Sequence, residues 1–204
     1  MGVLRGRTRH RPPGELCCVP HGLDLSLEQA RTAAAVHEAG HSVAAFAVGI
    51  HVPALWIKVS EPRRCGVHEV FGANEAVDLA AADVRQAVTM LAAGERAEGH
   101  WLGTQGLWTE ARAWAVEAGA LNDQVQAGAL LGALGLPMVY GAGPAEGLHD
   151  IDYCQLGLVA AALLAERWED VLAVSEGLLD RGRLTGDEAA ELAGSLNPAP
   201  GSPR

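Results

Sequence analysis

Residues 36–42 read Val-His-Glu-Ala-Gly-His-Ser, and this stretch predicts both a central helix and a candidate functional site. His37 and His41 are four residues apart, so on an α-helix their imidazoles lie on one face, one turn apart. Ala39 and Gly40 between them are small, which lets another element approach the helix closely. The flanking positions are mainly alanine and valine, and the pattern therefore predicts a helix buried within the fold.

Capping residues define the predicted boundaries of this helix. Ser26 can accept hydrogen bonds from the free amides of the first turn, and Gln29, three residues later, completes a capping box. We expect the helix to run from Leu27 to Val48, because Gly49 supplies a C-terminal stop. The histidine motif falls in the second half of the helix.

Helical periodicity dominates the rest of the chain, except directly after this first long helix. There, residues 52–59 and 65–71 alternate apolar and polar side chains and predict two short strands. Further helices are predicted over residues 79–102, 108–118, 122–134 and 151–180, and a short one opens after Thr185. The predicted fold class is mainly α: a single helical domain with a small two- to three-stranded β element after the HExxH helix.

Composition and charge limit the domain organisations and the classes of function that this chain can have. The 204 residues are 49% hydrophobic but only 4% aromatic, and abundant alanine and leucine favour packed helices. We expect a flexible basic tail over residues 1–23, one domain over 24–194 and a disordered tail over 195–204. The net charge of -10 argues against a nucleic-acid partner. Neither a signal peptide nor a membrane span is predicted, so the expected location is cytoplasmic.

The HExxH pattern is the smallest unit that supplies two metal ligands and a base. His37 and His41 can bind one tetrahedral zinc ion, and Glu38 can lie beside the water bound to that ion. Zinc lowers the pKa of this water and polarises a peptide carbonyl, while the carboxylate accepts the proton. Zn²⁺ is therefore the expected cofactor and Glu38 the expected catalytic residue.

The residues themselves leave the third zinc ligand open. The extended HExxHxxGxxH pattern is absent, because Ala44 and Ala47 occupy the positions of its glycine and its last histidine. A glutamate from a later segment is one alternative, and Glu75 is its candidate. An aspartate placed further along the chain is another.

Five segments together carry a resemblance to a known family. They are HEAGH in its alanine-rich helix, AGERAE at residues 93–98, Asn122-Asp123 with Ala127, and the closing segments LLAERW at 163–168 and LTGDE at 184–188. With them, the chain resembles the peptidase domain of the FtsH-type ATP-dependent zinc proteases over about residues 28–193. The second and third segments are similar to the family's GGRAAE and GASNDLxxAT segments.

This resemblance implies that His37, His41 and Asp123 bind zinc and that Glu38 is the general base. It also implies a polypeptide substrate, whose backbone pairs with the strand at 52–59 or its neighbour. The interval between Glu98 and Asp123 is longer than in the family, which permits a rival register with Glu110 as the ligand. No GxxxxGK[ST] motif occurs, so ATP-driven unfolding of substrates is not expected of this chain.

Three hypotheses for function follow from the sequence. The first is a stand-alone zinc metallopeptidase that hydrolyses flexible or unfolded polypeptides. The second is a zinc-stabilised interaction module without catalysis, which forms a homo-oligomer or serves as an adaptor to a separate ATPase. The third is a hydrolase with a small substrate, which an enclosed pocket would favour over an open groove bordered by a strand.

Overall fold

The computed structural model describes residues 8–12, 14, 18–62, 65–76, 79, 82–141 and 151–201. The chain is mainly helical and carries a small three-stranded antiparallel sheet, which confirms the predicted fold class. The elements are α1 (Val19–Leu23), α2 (Leu27–Val48), β1 (Ala54–Val59), β2 (Val70–Asn74), α3 (Val84–Thr104), α4 (Glu110–Gly119), α5 (Leu121–Ala133), α6 (Tyr153–Glu166), α7 (Trp168–Arg181), β3 (Arg183–Thr185) and α8 (Gly186–Leu192).

Helix α2 packs against α3, α7 and the sheet, and its boundaries agree with the prediction. Ser26 and Gln29 form the capping box, and Gly49 ends the helix in the left-handed conformation with φ of 81°. A Cβ atom at Gly40 would lie 2.6 Å from the Cβ of Ala97 and 3.0 Å from the carbonyl oxygen of Ala93. The absence of a side chain at Gly40 therefore lets α2 and α3 cross in close contact, which brings the histidine motif against α3.

The sheet has the strand order β2-β1-β3, so β1 is central and β2 lies at an edge. The observed β2 lies later than the predicted strand at 65–71, and its residues pair from Val59 opposite Val70 to Leu55 opposite Asn74. Gly72, Ala73 and Asn74 are weak strand formers, so local propensity gave no signal for the true position. Pairing with β1 sets the position of β2 instead, and this position brings Gly72 over α2.

The C-terminal part of the chain differs from the prediction in two places. The single helix predicted over 151–180 is two helices, α6 and α7, separated at Arg167. The guanidinium of Arg167 donates to Asp170 and Ser195, and neither proline nor glycine marks the break. Beyond α7, residues 183–185 pair with β1 as a third strand, where the sequence predicted only the start of a short helix after Thr185.

Parts of both predicted tails have defined structure. At the N-terminus, α1 packs against α4, and Arg9 and His10 contact the buried carboxylate of Glu117 through backbone and side-chain atoms. Near the C-terminus, the side chain of Asn197 bonds to both backbone polar groups of Val52. Residues 1–7, 13, 15–17 and 202–204 of these predicted tails lie outside the described residues.

In the described part of the chain, no helix is both long and apolar enough to cross a membrane. Helix α6 has an alanine- and leucine-rich sequence, but it is 14 residues long, whereas about 20 are needed to span a bilayer.

Candidate metal centre

The two histidines of α2 are each held through one ring nitrogen. The Nδ1 atom of His37 lies 3.0 Å from a carboxylate oxygen of Glu98 on α3, and Nδ1 of His41 lies 2.8 Å from the carbonyl oxygen of Met90. Because both partners are acceptors, Nδ1 carries the hydrogen in each ring and donates it. This arrangement leaves Nε2 of each histidine available as a ligand atom, as is usual for histidines that bind metals.

Asp123 completes a group with the two histidines. Its Oδ2 atom lies 3.3 Å from Nε2 of His37 and 3.5 Å from Nε2 of His41. It belongs to the first turn of α5, whose N-cap position is Ala120, so Asp123 is not the cap of this helix. Ligand atoms of His37, His41 and Asp123 all lie within 4.8 Å of one another, and together they could hold a metal ion.

Two of the three distances between these atoms fit a tetrahedral ion. Two ligand atoms that are each about 2.0–2.1 Å from a zinc ion, at the tetrahedral angle, lie roughly 3.3 Å apart. The two distances from Asp123 to the histidine nitrogens, 3.3 and 3.5 Å, agree with that value. Two imidazoles and one carboxylate supply nitrogen and oxygen donors and leave a fourth position for water.

The three side chains shift one another's pKa values in the direction that favours protonated histidines beside an ionised Asp123. Burial lowers the pKa of His37, but its hydrogen bonds with Asp123 and Glu98 outweigh this and raise it well above its usual value. Burial likewise lowers the pKa of His41, and the charge of Asp123 raises it on balance. For Asp123, burial is outweighed by the two histidines, which hold its pKa far below the usual range.

Glu38 lies next to this group and is 6% exposed. Its carboxylate accepts no hydrogen bond from the described part of the chain. Burial raises the pKa of Glu38, while the charges of His37 and His41 lower it in part. A carboxyl group whose pKa is raised binds a proton more readily, which suits it to accept one from a water held beside it. Gly72 of β2 approaches this carboxylate so closely that a Cβ atom there would overlap its oxygen.

The other acidic candidates from the sequence lie elsewhere. Glu75 is exposed and pairs with Arg183 at 3.1 Å and with the indole nitrogen of Trp56 at 3.2 Å. Glu110 is the exposed first residue of α4. The structure thus brings Asp123, and neither glutamate, to the two histidines.

Sequence reasoning missed two residues of α3 that shape the site. Glu98 orients His37, although in the sequence it stands out only as part of the segment at 93–98. Gly94 faces the Nε2 atoms of both His37 and His41, and a Cβ atom there would overlap them. A glycine inside a helix lowers the stability of the helix by about 1 kcal/mol relative to alanine. Gly94 was therefore a signal in the sequence that another part of the chain approaches this helix closely.

We predict that Gly94→Ala lowers the metal affinity of the protein at least about tenfold. Overpacking of this kind costs about 1–3 kcal/mol, and roughly 1.4 kcal/mol corresponds to a factor of ten in affinity. The added methyl group displaces the imidazoles from the positions that aim them at Asp123. Competition with a chromophoric zinc chelator measures the effect.

Gly99→Ala is the matched control, because Gly99 lies in the same helix and a Cβ atom there meets nothing within 4 Å. This variant should keep the wild-type affinity and unfold at a slightly higher temperature, since alanine restricts the unfolded chain more than glycine does. Equal affinities for the two variants would show that Gly94 has no special place at the metal centre.

Two cavities flank Glu38 and Asp123, and both border on β2. The larger, of about 410 Å³, includes His37, Val70 and Gly72 in its lining. The smaller, of about 130 Å³, lies on the side of His41 and Asn74. Both spaces therefore reach the candidate metal site along the same strand.

No known protein-family model matches this chain, and no curated protein matches it at a significant level.

Proposed function

We propose that this protein is a zinc-dependent endopeptidase that hydrolyses peptide bonds in flexible or unfolded polypeptides. One observation carries the proposal: ligand atoms of His37, His41 and Asp123 converge beside the buried carboxylate of Glu38, under an edge strand. The resemblance to the FtsH-type peptidase domain, noted from the sequence, agrees with this arrangement.

The residues of the site divide the chemistry between them. A bound zinc ion lowers the pKa of a water molecule and stabilises negative charge on the attacked carbonyl oxygen. Glu38 accepts the proton of that water at its carboxylate and delivers it to the leaving amine. Glu98 and the carbonyl of Met90 keep the hydrogen of each histidine on Nδ1, so that both Nε2 atoms remain ligands.

Zinc is the metal we propose for this site, because an HExxH helix supplies two zinc ligands and a base in metallopeptidases. Two imidazoles and one carboxylate can also bind non-haem iron(II), whereas calcium and magnesium require sites built mainly of oxygen. Three protein ligands with one open position are characteristic of catalytic zinc, since structural sites bind the ion through four.

The edge strand explains why the proposed substrate is an extended polypeptide. Backbone hydrogen bonds from Glu75 to Ala54 and from Ser60 to Glu69 show which residue pairs between β1 and β2 are hydrogen-bonded. In an antiparallel ladder, hydrogen-bonded and non-hydrogen-bonded pairs alternate, and this places Gly72 in a non-hydrogen-bonded pair. The backbone N–H and C=O groups of Gly72 therefore point away from β1. A polypeptide that pairs with this edge passes directly over Glu38.

The groove that the two cavities form along β2 argues against a small substrate. The two cavities border one edge strand on either side of the metal centre, as subsites along a chain would. Folded substrates are excluded on geometric grounds, because a backbone must be extended to add to a strand edge.

The test is digestion of a chemically unfolded protein and of its native form, with mass spectrometry of the products. Zinc-loaded enzyme should cleave only the unfolded form, lose activity on chelation and regain it when zinc is restored. Zinc binding without cleavage of any unfolded substrate would reject the peptidase and favour the zinc-stabilised interaction module.

A further inference from the structure

Two cysteines that are distant in the sequence meet near the surface of the protein. The sulfur atoms of Cys18 and Cys65 lie 3.8 Å apart, although the residues are 47 positions apart along the chain. Both residues carry thiols, and Cys65 is exposed while Cys18 is half-buried. An oxidant in solution therefore has access to this pair.

The local structure allows the two sulfur atoms to come closer. Cys18 is the N-cap residue of α1, and Cys65 lies in a turn directly before Gly66. Gly66 has φ of 78°, and a Cβ atom there would meet nothing within 4 Å, so open space borders the turn. A disulfide bond is about 2.05 Å long, and the sulfur atoms must therefore approach each other by only about 1.8 Å.

The segments that follow the two cysteines form two walls of the larger cavity. Val19 and Leu23 of α1 line one wall, and Val67 and Val70 line another, where the chain enters β2. Cys18 directly precedes the first of these segments, and Cys65 lies just before the second. A bond between their sulfur atoms would therefore bridge α1 and the beginning of the edge strand.

We propose that Cys18 and Cys65 form a redox-modification site, at which a peroxide converts the two thiols into a reversible disulfide. The formation of the disulfide is independent of the proposed peptidase function, and its effect on activity rests on that function. A polypeptide that pairs with the edge of β2 extends past Val70, between the two walls that the disulfide joins. Oxidation therefore slows the hydrolysis of long polypeptides, because a long chain must be threaded beneath the bridge.

The oxidation takes place in two steps. The thiolate of the exposed Cys65 attacks hydrogen peroxide, the O–O bond breaks, and a sulfenic acid forms while one water molecule leaves. The thiolate of Cys18 then attacks the sulfur of this sulfenic acid, so that the S–S bond forms, the S–O bond breaks and a second water molecule leaves. The two thiols lose two electrons, the peroxide accepts them, and the thiol protons end in the two water molecules. A dithiol reverses the change by thiol–disulfide exchange.

The test treats the zinc-loaded full chain with a slight molar excess of hydrogen peroxide, blocks the remaining thiols and maps the products by mass spectrometry. The wild type should yield peptides linked through Cys18 and Cys65 that separate after treatment with dithiothreitol. Its unfolding temperature should rise by about 5 °C or more, because the bond closes a long loop of the unfolded chain.

The effect on activity is measured on the same samples with a chemically unfolded protein as the substrate. The value of kcat/KM should fall about tenfold or more on oxidation, within the range over which obstructed association slows binding. Reduction should restore the initial value, and the zinc content should stay constant throughout.

Four variants show which thiols are responsible. Cys18→Ser and Cys65→Ser should each lose the bridge and the response to peroxide, with the activity of the reduced enzyme unchanged. Cys17→Ser and Cys154→Ser are the matched controls, because Cys17 is the sequence neighbour of Cys18 and Cys154 is buried on α6. Both controls should keep the bridge and the response.

The outcomes separate the disulfide from the peptidase. An oxidised wild type without the bridge, or a bridge to Cys65 that persists in Cys18→Ser, overturns the site. A bridge that forms without any change in the rate of hydrolysis overturns its effect on the groove and leaves the peptidase standing. If the reduced protein hydrolyses nothing, the peptidase proposal fails, and the linked peptides and the unfolding temperature still decide on the disulfide.

Discussion

Replacing Glu38 by glutamine is expected to lower kcat for hydrolysis of an unfolded polypeptide by about 10²–10⁴-fold, the usual contribution of a general base. Glutamine has the same shape but cannot accept the proton of the attacking water. Its amide should fit beside Gly72, so the fold and the zinc content should remain those of the wild type. Initial rates on a quenched fluorescent peptide, with zinc measured on the same sample, test this expectation.

Glu28→Gln provides the matched control for this experiment. Glu28 also lies on α2, but it is exposed in the first turn of the helix, far along the sequence from the histidines. Its replacement removes one negative charge from the same helix and should leave the rate unchanged. If Glu38→Gln kept full activity with zinc bound, another residue would have to take the proton.

Replacing Asp123 by alanine is expected to lower the zinc affinity at least about 100-fold, more than the loss of a residue that only orients a ligand. The substitution removes one of the three proposed ligand atoms and leaves His37 and His41 without the carboxylate that lies beside them. Hydrolysis should be lost together with the metal. Isothermal titration of the chelated protein with zinc gives the affinity directly.

Glu75→Ala and Glu110→Ala control for a general effect of lost acidic charge. Glu75 pairs with Arg183 at the surface, and such exposed pairs contribute about 0.2–1 kcal/mol to stability. Glu110 lies at the N-terminus of α4, where a negative charge contributes a similar amount. Both variants should bind zinc as the wild type does. Loss of zinc in either of them, with Asp123→Ala unaffected, would move the third ligand to that glutamate.

The part of the fold that sequence determines most directly is α2. Its capping box at Ser26 and Gln29 and its glycine stop at Gly49 are local signals, and the helix begins and ends where they predict. The spacing of the two histidines is also local, so their common face follows from helix geometry alone. These features require no knowledge of distant contacts.

Features set by distant contacts could not be predicted. The position of β2 depends on pairing with β1, and the break at Arg167 depends on a bond to Ser195, 28 residues away. The order in the N-terminal segment depends on Glu117, more than 100 residues further along the chain. In each case the local sequence allows an alternative, and a contact formed only in the folded chain selects the observed structure.

The candidate site shows the same division. His37, His41 and Glu38 form one motif and follow from spacing, whereas the preference for Asp123 over two glutamates depends on the family resemblance. The structure brings Asp123 to the two histidines. Glu98 and Gly94 were missed as contributors because their effect depends on how α3 crosses α2, which becomes visible only in three dimensions.

The most direct test of this account is the metal content of the purified wild-type protein, measured by inductively coupled plasma mass spectrometry after addition of zinc and removal of the unbound ion. The account predicts one zinc ion per chain. A protein that retains no zinc under these conditions would contradict the assignment of His37, His41 and Asp123 as a metal centre, and the proposed peptidase with it.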